Sequence, residues 1–396
     1  MSSGIISRLP RAVRGDVATA SRALTLGTFL AASAAPTPLY RLYQQDFALP
    51  PVTVTVIFGV YALALLITLL VAGSLSDHLG RRPVVLGALA LELMAMALFL
   101  DAGSAGLLIA ARLLQGVATG LAASALGAAL IDGSPARGAL INSIAPMAGM
   151  ATGALGTAIL VSYAPLPLHL VFVVLVVLFA GQMPLIWLTP ETAGGKPGLM
   201  ASLRPRIAVP AHVRAALLRV TPVAVAVWAV GGLYLSLVPS LIQSATGSRS
   251  HLIGGLVVAG LTSCGGLAIL SLRNRPARRI LIIGTTGLTL GTGLFLAGIN
   301  LAAIPLLLLG TVIAGYGFGA GFLGALRTIM PMAAADERAG LLSAFYVECY
   351  LSFCVPAVLA GLLAGQAGLV VTATVYGAVV MLLAGTSLIL VCRQGR

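Results

Sequence analysis

Charged residues are scarce in this sequence. Asp, Glu, Lys and Arg make up only 8% of its 396 residues, and Lys196 is the only lysine. A soluble globular domain carries about a quarter charged residues, so the composition excludes an ordinary soluble protein. Apolar residues make up 59% instead, in continuous rather than alternating runs. We therefore predict an all-α polytopic membrane protein, because a helix satisfies its own backbone hydrogen bonds in lipid.

Motifs for nucleotide and metal chemistry are also missing. No glycine cluster is followed by the Lys-Ser or Lys-Thr of a phosphate-binding loop, so ATP drive is not expected. The four cysteines form no C-x-x-C pair, and the four histidines are scattered along the chain. We expect no cofactor, no metal site and no enzymatic activity.

Apolar runs of membrane-spanning length repeat along the whole chain. A helix needs about 20 apolar residues to cross the hydrocarbon core. The twelve predicted spans lie near 22–42, 53–73, 84–102, 106–128, 139–161, 168–188, 216–238, 251–271, 280–299, 302–325, 340–363 and 368–391.

Basic residues are distributed unevenly between the two ends of these spans. With both termini inside, all but three of the 23 Lys and Arg residues lie in inner segments; Arg41 and Arg249 lie outside, and Arg112 lies within span 4. Basic residues are retained on the cytoplasmic side during insertion. We attribute the net charge of +13 to insertion and to attraction by anionic membrane lipids, and not to nucleic acid. The excess of arginine over lysine suggests a bacterial gene, so we expect the bacterial inner membrane.

The sequence repeats itself weakly at half its length. With that shift, Arg81-Arg82 falls on Arg278-Arg279, and Asp77 falls on Asn274. Transporters built from two such halves bind their substrate between the halves and expose it to each side in turn. The predicted division is an N-terminal segment 1–21, a six-helix bundle 22–188, a cytoplasmic linker 189–215, a second six-helix bundle 216–391 and a tail 392–396.

The residues from Gly73 to Arg82, Gly-Ser-Leu-Ser-Asp-His-Leu-Gly-Arg-Arg, join spans 2 and 3. Their spacing resembles the cytoplasmic signature of the major facilitator superfamily between helices 2 and 3. The resemblance implies the major facilitator fold, with two pseudo-symmetric six-helix bundles, and a cytoplasmic gate formed by Gly73, Asp77, Gly80, Arg81 and Arg82. In the family the Asp caps helix 11 and bonds the neighbouring arginine. A polar loop without a function is the alternative.

Span 4 contains Arg112-x-x-Gln115-Gly116-x-x-x-Gly120. This resembles a motif of the twelve-helix drug/proton antiporters, whose arginine is tied to proton coupling. A charge at this depth is costly unless it is paired or hydrated, and Glu92 of span 3 is the predicted partner of Arg112. Glu348 of span 11, flanked by aromatic residues, is a further acid proposed for proton coupling. Purely structural hydrogen bonding is the alternative for all three residues.

Family position indicates which side chains line the central cavity. They are aromatic or sulfur-containing with few amides: Tyr40, Gln115, Asn142, Met147, Met150, Trp228, Tyr234, Tyr316, Phe318 and Phe322. Contact with the core or with lipid is the alternative for each. A sugar needs many hydrogen-bonding groups because each hydroxyl loses water on entry, whereas an apolar, adaptable cavity suits amphipathic compounds.

Together these features predict a monomeric secondary active transporter that exports small amphipathic compounds in exchange for protons. Its expected partners are a small-molecule substrate, protons and membrane lipids. The alternative is a proton symporter or facilitator for a small polar metabolite such as a sugar. A membrane-embedded enzyme or a sensor is less well supported, since no catalytic cluster is present in the sequence.

Overall fold

The computed structural model describes residues 11–248 and 250–393, with side chains from residue 15 onward. Arg249 and the outermost residues of the predicted terminal segments therefore lie outside the described residues. The described chain is helical, without strands, and its long helices are α1 Arg11–Ala34, α2 Pro51–Ala72, α3 Arg81–Leu100, α4 Ala105–Gly133, α5 Pro135–Tyr163, α6 Leu170–Trp187, α7 Ala211–Ser236, α8 His251–Leu272, α9 Ala277–Asn300, α10 Ile304–Ile329, α11 Arg338–Ala367 and α12 Leu369–Arg393.

Eleven of these helices, α2 to α12, are long and apolar enough to cross a membrane. Each overlaps one predicted span. Helix α1 is less apolar because it carries Arg22 together with the hydroxyl residues Ser21, Thr25 and Thr28. The prediction of an all-helical, multi-pass membrane protein is confirmed.

The bounds predicted for the first span, 22–42, are wrong. Helix α1 ends at Ala34, and the chain continues through a 3-10 turn over Thr37–Leu39 and a short helix over Tyr40–Asp46. Pro36 and Pro38 explain the break, because proline has no N–H to donate and disfavours a helical conformation in the preceding residue. Tyr40 therefore belongs to a separate short helix.

Each half of the chain has its own buried core. The first is built mostly from α1 to α6 and includes Phe29 and Phe172. The second is built from α7 to α12 and includes Phe295 and Phe345. Such cores are close-packed, so each half has the internal packing of a separate bundle.

The two halves meet along two helix pairs, α2 with α11 and α5 with α8. Gly361 of α11 approaches α2 so closely that a Cβ on it would lie 2.9 Å from the Cα of Val52. Gly255 of α8 approaches α5 equally closely, because a Cβ on it would overlap the Cβ of Ala158. These two pairs flank the space in which the candidate site lies.

Candidate functional site

A cavity of about 940 Å³ lies between the two halves. Residues of α1, α2, α4 and α5 line it from the first half, and residues of α7, α8, α10 and α11 line it from the second. Among the described residues, α3, α6, α9 and α12 contribute nothing to its wall. Its volume suits a drug-sized molecule.

The cavity opens at one end of the molecule. We call this end the linker side, because the segment between α6 and α7 lies there, and the opposite end the far side. On the linker side the wall includes Arg204 and Arg206, which are exposed. At the inner end it includes Ser33 and Leu235, which are buried.

Hydrogen bonds between described residues of the two halves close the far side. The buried Thr37 hydroxyl donates to the carbonyl of Leu235 at 3.0 Å. Ser240 donates to the Oε1 of Gln44 at 2.7 Å. The structure is therefore open to the linker side and closed to the far side.

Six of the ten predicted cavity residues line this cavity. Three come from α5, one from α7 and two from α10: Asn142, Met147, Met150, Trp228, Phe318 and Phe322. The aromatic and sulfur-containing wall that was expected from the sequence is therefore present.

The other four, Tyr40, Gln115, Tyr234 and Tyr316, do not belong to the described wall of this cavity. Tyr40 and Tyr234 are buried within the two cores. The hydroxyl of Tyr316 shares a hydrogen bond of 2.8 Å with Ser271. Family position indicated the helix for each residue but not the direction in which its side chain points. These helices are apolar on all faces, so the sequence gives no periodic signal for that direction.

An aromatic cluster in the cavity wall contains residues that the sequence analysis did not assign to it. Trp228 lies 4.9 Å from Tyr350 and 5.6 Å from Phe353 between ring centroids. Phe58 of α2 lies 4.8 Å from Phe353. We call Phe58, Trp228, Tyr350 and Phe353 the aromatic cluster. The aromatic run at the start of α11 was the available signal, but it was interpreted only as the surroundings of Glu348.

A buried polar network lies at the inner end of the cavity. The NH1 of Arg112 donates to the carbonyl of Ser33 at 3.0 Å and to the Oε1 of Gln115 at 2.6 Å. The Nε2 of Gln115 donates to the carbonyl of Ala32 at 3.1 Å and to the Oε1 of Glu92 at 3.0 Å. Gln115, predicted as a cavity residue, instead links α4 to α1 and α3.

The expected pairing of Glu92 with Arg112 is indirect. Gln115 lies between them, and within the described chain the two form no direct ion pair. The guanidinium carbon of Arg112 lies 4.2 Å from the ring centroid of Tyr61, which is cation–π geometry. Arg112 lines the cavity, whereas Glu92 does not.

Glu348 of α11 lies outside the cavity wall as the structure describes it. Thr221 of α7 lies beside its carboxylate. Its Oε1 is buried and has no hydrogen-bond partner within the described residues. Its neighbours Tyr346 and Tyr350 do line the cavity.

Of the predicted gate residues, Gly73 and Asp77 line the mouth of the cavity, whereas Gly80, Arg81 and Arg82 do not belong to its described wall. Asp77 pairs with Arg81 at 2.5 Å, and Arg81 also donates to Asp132 at 3.2 Å and to Ser76 at 2.7 Å. The Asp77 carboxylate makes no hydrogen bond to α11 in the described structure, although both line the mouth. The expected cap on α11 is thus absent from this conformation, in which the linker side is open.

Glu191, just after α6, provides a contact to the gate that the sequence analysis missed. Its Oε1 accepts from the backbone N–H of Arg81 at 2.8 Å, and its Oε2 accepts from that of Arg82 at 3.0 Å, so it caps α3. Gly80 has φ +97°, and a Cβ there would lie 2.8 Å from Oε2. Partial burial opposes ionisation, but N–H groups of Ala193, Arg82, Arg81 and Thr192 hold the pKa of Glu191 below its usual value.

Two halves of six helices around a central cavity that opens on one side define the architecture of a secondary transporter. The sequence matches the family described as Major Facilitator Superfamily over residues 23–349. The chain belongs to this family. It is therefore a multi-pass membrane transporter and not an enzyme.

Solved structures of transporters share the fold. A mutant of the nucleoside transporter NupG is 11% identical, with TM-score 0.75, covering 94% of this chain and 99% of that one. The human organic anion transporter MFSD10 (TETRAN) is 19% identical, with TM-score 0.65 and coverages of 96% and 100%. A further NupG structure is 12% identical, with TM-score 0.66 and coverages of 95% and 98%. No curated protein sequence matches this chain.

Proposed function

We propose that the chain exports small amphipathic compounds in exchange for protons, by alternating access, across the bacterial inner membrane. The cavity carries the proposal: it opens on the linker side and is closed on the far side by bonds from Thr37 and Ser240. In alternating access the same cavity opens to each side in turn. We take the linker side as cytoplasmic, because most basic residues lie at that end.

The composition of the wall supports an amphipathic substrate. The aromatic cluster and the methionines Met147 and Met150 offer apolar, polarizable surface. The cavity is large enough for a drug-sized ligand. Asn142 and a few hydroxyl groups add polar contacts without the dense amide lining that a sugar would require.

Proton exchange is assigned to Glu92 and Glu348. Glu92 connects to the cavity residue Arg112 through Gln115, so gain or loss of its proton changes the network at the inner end of the cavity. In the sequence of α11, Glu348 lies between Tyr346 and Tyr350, which line the cavity, and its carboxylate lies beside Thr221 of α7. Intramembrane acids in transporters commonly serve as proton relays.

Purified protein in proteoliposomes tests this proposal. We expect a pH gradient to drive accumulation of members of a panel of amphipathic compounds. Glu92→Gln or Glu348→Gln should abolish the gradient dependence while leaving substrate binding largely intact. Asp101→Asn, an exposed acid in the loop after α3, is the matched control and should behave as the wild type. Gradient-driven transport that survives both Glu substitutions would exclude these acids from coupling.

Uptake of a small polar metabolite is the second candidate. Hydroxyl and amide groups of Ser124, Asn142, Ser143 and Thr262 belong to the cavity wall. The nucleoside transporter NupG has the same fold at low identity. Counterflow of radiolabelled nucleosides and sugars in the same proteoliposomes, with no flux of amphipathic compounds, would favour this candidate over export.

A further inference from the structure

The charges that line the cavity are mostly positive. Arg112 lies at its inner end, and Arg204 and Arg206 lie at its mouth. Asp77 is the single acid in the described wall, and Arg81 pairs with it at 2.5 Å. A molecule inside the cavity therefore meets arginine charge at both ends and no unpaired carboxylate.

Arg112 is the decisive residue, because it is 1% exposed and none of its described neighbours neutralises it by a direct ion pair. Its NH1 donates to neutral acceptors, the carbonyl of Ser33 and the amide of Gln115. Its Nε has no hydrogen-bond partner within the described residues. A buried cation that lacks a direct carboxylate partner keeps part of its desolvation cost, so an anion brought next to it gains that interaction.

The aromatic cluster lies next to this arginine. Tyr61, whose ring the guanidinium of Arg112 covers, lies one turn after Phe58 on α2 and on the same helix face. Phe58 contacts Phe353 with 4.8 Å between ring centroids, and Phe353 contacts Trp228. One ligand of drug size can therefore place an anionic group at Arg112 and an apolar body on the aromatic cluster.

We propose that the cavity binds amphipathic organic anions, with the acidic group on Arg112 and the apolar body on the aromatic cluster. This inference names the substrate class of the proposed transporter and rests on that function only for the use of this cavity. The arginines at the mouth attract anions from the linker side by long-range electrostatics. A cation of the same shape would approach Arg112 against charge repulsion.

A matched ligand series on the wild-type protein tests the inference without any substitution. Naphthalene-1-acetate, its neutral amide and 1-naphthylmethylammonium share one apolar body and differ in charge. Calorimetric titration of the full-length protein in detergent should give a Kd for the acetate at least about tenfold below that of the other two. Equal binding of the three, stronger binding of the ammonium compound, or no binding of any would overturn the inference.

Substitutions then locate the anionic group. Arg112→Gln should raise the Kd of the acetate to that of the amide, and Arg112→Lys, which keeps the charge, should retain part of the preference. Arg273→Gln, at an exposed arginine that does not line the cavity, is the control and should change the Kd by less than about threefold. A folded Arg112→Gln protein that keeps the full preference overturns the assignment, as does an equal loss of the preference in the control variant.

The proteoliposome transport experiment and the ligand-binding experiment can give negative results independently of each other. Loss of the charge preference with intact pH-driven transport of other compounds would remove the inference and leave the proposed function. Selective anion binding by a protein that transports nothing in proteoliposomes would remove the proposed function and leave the inference. The two outcomes are therefore distinguishable.

Discussion

The side-chain amide of Gln115 lies 3.0 Å from the carboxylate of Glu92. The same Gln115 side chain accepts from Arg112 at 2.6 Å, so one neutral residue connects a buried acid with a buried base. This arrangement keeps the acid and the base apart while it satisfies one polar atom of each. The hydrogen-bonded link from Glu92 of α3 to Arg112 at the cavity therefore passes through a residue that carries no charge.

Removing this link should destabilise the protein. Gln115→Leu leaves one more unsatisfied oxygen on Glu92 and one less acceptor for Arg112, and each unsatisfied buried group costs about 1–3 kcal/mol. We expect a clearly lower Tm in detergent, measured by thermal unfolding. Gln45→Leu, at an exposed position on the far side, is the control. An unchanged Tm in the Gln115 variant would show that water replaces the lost bonds.

The far-side closure should depend on the bonds that Thr37 and Ser240 make between the halves. Thr37→Val combined with Gln44→Ala removes both, at a cost of about 0.5–1.5 kcal/mol per bond, and should shift the population toward the far-open state. Spin labels at Gln45 and Ser244, placed on opposite halves, measure the shift as longer label distances. Thr386→Val, which loses only a bond within α12, is the control and should leave the distances as they are.

Asp77→Asn should weaken the closure of the cavity on the linker side. The open structure pairs Asp77 with Arg81; in the linker-closed state we expect its carboxylate to face the N-terminus of α11, where a negative charge is favourable. The substitution should therefore keep the mouth open more often. Modification of a cysteine introduced at Ser343, in a background without the native cysteines, measures this as a faster reaction. Asp101→Asn in the same background is the control. An equal modification rate in the two variants would refute the role of Asp77 in the gate.

Glu191→Gln should lower stability near neutral pH, by at most about 1 kcal/mol because the site is largely exposed. The pKa of Glu191 is lower in the folded chain than when unfolded. Its contribution is therefore present above the unfolded pKa and is lost as the pH falls through the folded one. Thermal unfolding of wild type and variant should differ at pH 7 and converge at acidic pH. A difference that persists in acid would mean that the carboxylate charge is not the cause.

Gly116→Ala should also be destabilising, by about 1–3 kcal/mol. The added Cβ would lie 2.5 Å from the carbonyl oxygen of Tyr61 and 2.8 Å from the Cβ of Ala64, so α4 and α2 would have to separate. Gly156→Ala is a matched control in α5, where a Cβ meets nothing within 4 Å, and it should be neutral or slightly stabilising. Denaturation in the same detergent compares the two variants, and equal stability would contradict the close approach.

Much of the fold was predictable because lipid constrains the chain more strongly than water does. Apolar length alone located α2 to α12, since a backbone in lipid must be helical. The break after α1 was missed although Pro36 is in the sequence. The first span was assigned from its apolar residues, and the missing backbone N–H of proline was not taken into account. The contact of Glu191 was missed, since nothing local indicates that its carboxylate caps α3, more than a hundred residues earlier in the chain.

The direction of side chains was the part least accessible from the sequence. Trp228 and Phe322 line the cavity as expected, whereas Tyr234, six residues after Trp228 on the same helix, is buried in the second core. A helix that is apolar all round gives no periodic signal to separate the face toward the core from the face toward a cavity. The neighbours across the bundle decide which face is which.

By itself, the amino-acid sequence determined that the chain forms membrane-spanning helices in two related halves, because hydrophobic length and the constraint of lipid act on each segment locally. The tertiary structure decided which end of the cavity is open, that Gln115 separates Glu92 from Arg112, and that Arg112 lines the cavity without a direct carboxylate partner among the described residues. These depend on contacts between residues distant in the sequence, where a rotation of one helix exchanges one partner for another.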